Sequence, residues 1–280
     1  LREALCTLGN GHFATRGAAA ESAADGVHYP GTYIAGCYNR LTSVVAGRTV
    51  ENEDLVNVPN WLPLQFRVPG DEWLTLDGEA VVEHRQDLDM RRGVFSRRTR
   101  YRMSDGKILV VTQRRLVSMH DPHVAALKTT FVAENWSGPL EVRTSLDGAV
   151  TNAGVARYRD LDGRHLVPIT AGYMENTGIV WLLVRTATSQ VRIAEAASIA
   201  ITGLRDEARS TFEQTAAEVG VRMWPELVAG EPVTIEKRVA IYTSQDRAIS
   251  EALHAARRHA ERLPPFDDLL ADHSRTWERL

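Results

Sequence analysis

Residues 178–196, GIVWLLVRTATSQVRIAEA, decide how the chain is read. Valine, isoleucine, leucine and threonine fill this stretch, and their stiff side chains suit a pleated strand better than a helix. The same composition recurs on both sides, in KILVVTQRRLVS (107–118), VAALKTTFVAEN (124–135), LEVRTSLDG (140–148) and PVTIEKRVAIYTS (232–244). Between these runs, Asp105-Gly106, Asp147-Gly148 and Asp162-Gly163 supply residues that tolerate turn geometry. Short strands spaced by turn signals, without alternating helices, predict a mainly β fold of two packed antiparallel sheets over residues 1–245. Residues 204–220, LRDEARSTFEQTAAEVG, interrupt the pattern and read as a helix or as a surface segment.

The end of the chain changes character. SQDRAISEALHAARRHAER (244–262) opens on a serine or aspartate cap and continues in good helix formers, so it predicts a helix. After Pro264-Pro265, the residues Phe266, Leu269, Leu270, His273 and Trp277 share one face of a second helix. That stripe needs a partner surface, and the sheets leave little obvious room for it, so a following domain is expected. The start at Leu1 rather than methionine likewise suggests sequence upstream.

With 280 residues the chain can bury a sizeable core, roughly three quarters of its unfolded surface. Lys+Arg 33 against Asp+Glu 36 gives a formal charge of -3 without a basic block, which argues against nucleic acid as a partner. Cys6 and Cys37 fit neither a disulfide framework nor a zinc site, and read as buried free thiols. Asn135-Trp136-Ser137 is a glycosylation pattern, but no signal peptide or membrane-length apolar run accompanies it. The expectation is a soluble, intracellular protein without a membrane partner.

TLGNGHFATRG (7–17) raises the question of a phosphate-cradling loop. The glycine spacing does not match G-x-G-x-x-G, and no Gly-Lys-Ser/Thr follows, so a hairpin turn at Asn10-Gly11 between flanks 5–8 and 12–15 is the better reading. Asp87 and Asp89 in RQDLDMRRG would face the same side of a strand as an acid and base, yet Arg85, Arg91 and Arg92 make an ion-pair cluster the cheaper account. His120, Asp121 and His123 in HDPH hint at a metal site with no third ligand marked, and read as a turn. Asp160 and Asp162 in RDLDGR hint at calcium, but lack the other oxygen ligands and read as a hairpin turn. No serine stands in G-x-S-x-G. In NVPNWLPL (57–64), Asn60 and Trp61 sit between Pro59 and Pro63, an amide and an aromatic face on a stiff loop, the materials of a sugar-binding surface. Core packing of the tryptophan is the plainer alternative.

Taken in order, GNGHFATRG, YPGTYIAGCYNR, LVNVPNWLPL, LDMRRGVFSRR, RLVSMHDPH, NWSGPLEVRTSLDG and YTSQD resemble the N-terminal domain of the family 65 glycoside hydrolases and phosphorylases, which act on maltose, trehalose, kojibiose and related α-glucosides. The resemblance implies a large β-sandwich over 1–245 and a helical linker over 246–280. An (α/α)6 barrel would follow, carrying the general acid of an inverting reaction in which phosphate or water attacks. It further implies a cytoplasmic homodimer without metal or organic cofactor, and no catalytic residue in this chain. Asn60 and Trp61 remain the expected substrate-proximal residues. Two alternatives stand beside this one: a stand-alone carbohydrate-binding module, and a structural domain fused to a sugar-phosphate phosphatase.

Overall fold

The computed structural model describes residues 2–153 and 160–279. A short helix α1 (Arg2–Leu5) precedes β1 (Leu8–Gly9), β2 (Phe13–Thr15), β3 (Thr32–Val45), β4 (Arg48–Val58), β5 (Leu64–Arg67), β6 (Val81–Asp89), β7 (Val94–Arg102), β8 (Ile108–Val117) and β9 (Val124–Ala133). Then come β10 (Gly138–Pro139), β11 (Glu141–Asp147), β12 (Leu166–Met174), β13 (Ile179–Thr186), β14 (Arg192–Thr202), β15 (Arg209–Gln214), β16 (Glu218–Trp224), β17 (Glu226–Leu227) and β18 (Pro232–Thr243). Helices α2 (Ala252–Ala260) and α3 (Phe266–Trp277) close the series. The strands form an eight-stranded sheet in the order β12-β13-β14-β18-β9-β8-β7-β6 and a four-stranded sheet β15-β16-β11-β5. A second four-stranded sheet, β1-β2-β3-β4, and the small pair β10-β17 complete them, and every pairing is antiparallel.

The expected sandwich is therefore present, and its construction explains the composition that announced it. Alternate residues of the large sheet, Val180, Leu182 and Val184 of β13 and Val233, Ile235, Val239 and Ile241 of β18, join Leu64, Phe66, Val142, Leu146, Val219 and Val221 from the small sheet in one core. The opposite face is also covered. Ile179, Leu183, Ala194, Ala196 and Ala240 lie under Ala252, Ala256 and Ala260 of α2, whose small side chains at every fourth position let the helix approach the sheet closely. Leu116, Val124 and Ala126 lie under Leu263, Phe266 and Leu269. Strands buried on both faces are near-continuously apolar rather than alternating.

Several expectations change. The stripe on α3 finds its partner on β8 and β9 of this chain, so it gives no reason of its own to expect a further domain. Residues 204–220 hold no helix: 204–208 are an irregular stretch, and from Arg209 the chain forms the β15–β16 hairpin at the edge of the small sheet, where Phe212 stacks on Tyr173 at 4.0 Å. Their charge reflects an exposed edge strand. The first linker helix begins later than the serine and aspartate at 244 and 246 suggested. Asp246 turns back to accept from the Thr243 N–H, and Glu251 is the cap, accepting from Leu253 N and His254 N.

Asp105-Gly106 does close the β7–β8 hairpin, with Gly106 at φ +83. Asp147-Gly148 instead ends β11 against Asn60 and Ala217. Asp162-Gly163 lies in the connection to β12, held by Ser43 and Asn152, and is not a hairpin. Residues 154–159, including the first arginine of RDLDGR, lie outside the described residues.

Candidate functional site

The loop 57–64 is positioned by its own backbone. Asn60 N donates to Asp147 O at 2.7 Å and Asp147 N to Asn60 O at 3.0 Å, which ties the loop to the end of β11. The Asn60 side chain accepts from Leu62 N. Trp61 is fully buried in the sandwich core, and its indole N–H donates to Thr15 Oγ1 at 2.9 Å. The aromatic therefore has no open face, and packing is its role in this chain. Asn60, unlike Trp61, borders open space, a cleft of about 340 Å³ shared with Gln65, Arg143, Ser145, Asp147 and Glu218.

Asp147 and Glu218 are direct cross-strand partners in that cleft, a juxtaposition of carboxylates that the sequence did not disclose. Internal partners occupy them. Glu218 accepts from Ser145 Oγ at 2.7 Å and from the Arg143 guanidinium at 3.0 Å, and Asp147 caps the turn by accepting from Ala149 N. Burial, reinforced by the Glu218 charge, still raises the Asp147 carboxyl above the usual carboxylate range. Behind the cleft, Lys237 is fully buried with its ammonium nitrogen 2.5 Å from Ser145 O and 3.3 Å from Pro63 O. Burial pulls its pKa down to about 7 and pushes that of the neighbouring Glu195, also fully buried, well up. Neither oxygen of Glu195 has a hydrogen-bond donor.

The Asp87 and Asp89 pair is not an acid and base. Asp87 forms an exposed two-point ion pair with Arg85, and Asp89 accepts from Arg91 N and Arg92 N to close the turn. That turn receives α3. Gly93, at φ +61, passes within 3.0 Å of His273 and Trp277 for an added Cβ, His273 Nε2 donates to Arg92 O, and Trp277 Nε1 donates to Met90 O. Since His273 Nδ1 accepts from Met119 N, its tautomer is fixed by contacts on both sides.

Three of the stretches singled out in the sequence meet at one corner. Asn10 and Phe13 close the first hairpin around Gly11-His12, one residue later than the Asn-Gly centre expected, and of the expected flank 5–8 only Leu8 is in a strand, Leu5 being the last residue of α1. The N–H groups of His12 and Phe13 are taken by Asn10 Oδ1, so these two amides are not free to cradle phosphate. Asn10 Nδ2 reaches across to Ser118 O and Pro122 O, fastening the hairpin to the HDPH turn. His123 stacks on Tyr242 at 4.0 Å, and Tyr242 and Asp121 are joined through His259 of α2. Asp246 completes the group, its Oδ1 3.7 Å from His12 Nε2 and 3.9 Å from His123 Nε2. Burial, then the neighbouring His123, lowers the His12 pKa against the pull of Asp246, which keeps that imidazole neutral near pH 7. His120 is exposed and takes no part, and Asp160 and Asp162 gather no third imidazole, thiolate or carboxylate among the described residues.

The whole chain, residues 1–280, matches the model of the glycosyl hydrolase family 65 N-terminal domain. The chain belongs to this family. Its similarity to an uncharacterized glycosyl hydrolase of Mycobacterium tuberculosis is 41% identity over 100% of the chain and 21% of that protein. With the trehalose 6-phosphate phosphorylase of Lactococcus lactis it shares 32% identity over 72% of the chain and 25% of the enzyme. With the kojibiose phosphorylase of Caldanaerobacter subterraneus the figures are 30%, 87% and 31%. The chain thus spans between a fifth and a third of these three relatives. A solved structure named "Putative kojibiose phosphorylase from human microbiome" has the same fold, with TM-score 0.81 at 18% identity, over 99% of this chain and 35% of that one. In this family 65 domain Cys37 is a buried thiol whose pKa burial raises to about 11, whereas Cys6 is only half-buried. No helix among the described residues is long and apolar enough to cross a membrane.

Proposed function

We propose that this chain is the non-catalytic N-terminal domain of an α-glucoside phosphorylase or hydrolase. Residues 1–245 form its sandwich and 246–280 the linker to an (α/α)6 barrel of the same polypeptide. The observation that carries this reading is the match of the whole chain to one domain, while its named relatives, phosphorylases of trehalose 6-phosphate and kojibiose, are nearly three times as long. The occupied state of Asp147 and Glu218 supports it from the chemical side, because inversion needs one free acid and one free base across a sugar. The domain shapes the rim of the active site and contributes to a cytoplasmic homodimer, with Asn60 and Trp61 holding the loop that faces substrate. The assembled enzyme works on an α-linked glucose disaccharide of the trehalose, maltose or kojibiose type, with phosphate or water attacking and no cofactor.

The test is glucose release from trehalose, maltose and kojibiose, with and without phosphate, by the 280-residue chain and by the full polypeptide that contains it. Turnover by the long form alone is expected. Turnover by the short chain that falls in Glu218→Gln would refute the assignment and place the chemistry in the cleft.

A second reading has one observation in its favour. The domain occupies a fifth of the mycobacterial relative but about three-tenths of the Caldanaerobacter kojibiose phosphorylase, so the former carries more chain beside it. A fused sugar-phosphate phosphatase domain fits that excess, and sequencing the coding region on both sides of this chain decides it.

A further inference from the structure

We propose that His12, His123 and Asp246 form a binding site for a divalent transition-metal ion of the zinc type. Their ligand atoms lie within 4.8 Å of one another, and they come from three separate segments: the β1–β2 turn, the β8–β9 turn and the stretch after β18. The spacing is the first argument. A hydrogen bond from either imidazole to Asp246 would bring nitrogen and oxygen to about 2.7–2.9 Å. They instead stand at 3.7 and 3.9 Å, too far for that bond. Ligands on a tetrahedral zinc ion with bonds of about 2.0–2.1 Å are about 3.3 Å apart, so the two imidazole–carboxylate edges need to contract by about half an ångström and the two imidazoles, whose ligand atoms lie within 4.8 Å of each other, need to turn towards a shared ion.

The outer contacts supply the second argument. His123 Nδ1 lies 2.9 Å from Ile241 O, and a carbonyl oxygen can only accept, so the proton is on Nδ1 and the Nε2 lone pair faces Asp246. A ligating histidine is normally fixed by such a hydrogen bond from its other nitrogen. Asp246 is oriented in the same way: its Oδ2 accepts from Thr243 N at 2.6 Å and from Thr243 Oγ1 at 3.2 Å, which turns Oδ1 towards the imidazoles. His12 Nε2 is itself shut off from solvent and has no hydrogen-bond partner among the described residues. A cation supplies the missing one.

Two imidazoles and one carboxylate are a donor set for zinc and its neighbours, not for calcium or magnesium, which take mostly oxygen. Side-chain exposures of 25%, 18% and 11% for His12, His123 and Asp246 place the cluster near the surface, with His12 Nε2 itself covered. Binding would cross-link the N-terminal hairpin and the β8–β9 turn to the segment leading into α2.

The experiment is calorimetric titration of chelator-stripped protein with ZnCl₂, followed by the histidine ring resonances in NMR spectra of the wild-type chain. One ion per chain is expected, with a dissociation constant of about 10 μM or tighter. The resonances of His12 and His123 should shift while those of His259 and His273 stay in place. His12→Ala, His123→Ala and Asp246→Ala should each weaken binding by about tenfold or more, with His120→Ala unchanged. The NMR result stands even where a variant fails to fold. Absence of binding by the wild-type protein at about 100 μM zinc overturns the proposal. So does binding that survives loss of two of the three ligands, or shifts confined to other histidines, either of which marks an adventitious ion only.

Discussion

The loop 57–64 and the corner of His12, His123 and Asp246 exchange the roles that their sequences suggest. NVPNWLPL offers an aromatic and an amide on a stiff loop, the look of a ligand surface, yet Trp61 is sealed into the core and Asn60 is tied to Asp147. HDPH reads as an ordinary turn, yet its second histidine converges with a histidine and an aspartate from distant parts of the chain. Residue type reveals what a group can do, while burial and long-range pairing decide whether it is free to do it.

Four substitutions sharpen that contrast. Trp61→Ala should have the largest effect, about 3–5 kcal/mol of lost stability by denaturant unfolding, because it empties a core site and removes the indole donor to Thr15. A loss under about 1 kcal/mol would mean that the ring is not core at all. Lys237→Met comes next, at about 1–3 kcal/mol, since it deprives the buried carbonyls of Ser145 and Pro63 of a donor. His123→Ala in metal-free protein should cost about 1–2 kcal/mol, the value of one hydrogen bond and one partly exposed ring stack. Asp87→Asn should change the melting temperature hardly at all, as its pair with Arg85 is exposed, and such pairs contribute about 0–1 kcal/mol.

What the sequence discloses follows from the range of the interactions. The sandwich is legible because β-branched runs and turn residues act locally, and α3 because its stripe repeats every three to four residues. The β15–β16 hairpin is hidden because an edge strand facing water carries the charge of a surface helix, and its pairing to β11 is a long-range fact. The start of α2 is hidden because Asp246, which looks like a cap, bonds backwards to Thr243. The cross-strand pair Asp147 and Glu218 depends on β11–β16 register, which no local pattern specifies. For the histidine corner a faint signal exists: GNGH, HDPH and YTSQD each end in a turn bearing an imidazole or a carboxylate. Only the order β18-β9-β8 in the large sheet, with β1 of another sheet packed against β8, brings those turns together.

The central claim, that Trp61 holds the scaffold together and is no sugar platform, is tested most directly by calorimetric titration of the 280-residue chain with trehalose, maltose and kojibiose. The account predicts no detectable heat of binding from any of the three. Saturable binding at micromolar concentrations, abolished in a folded Trp61→Phe variant, would contradict it.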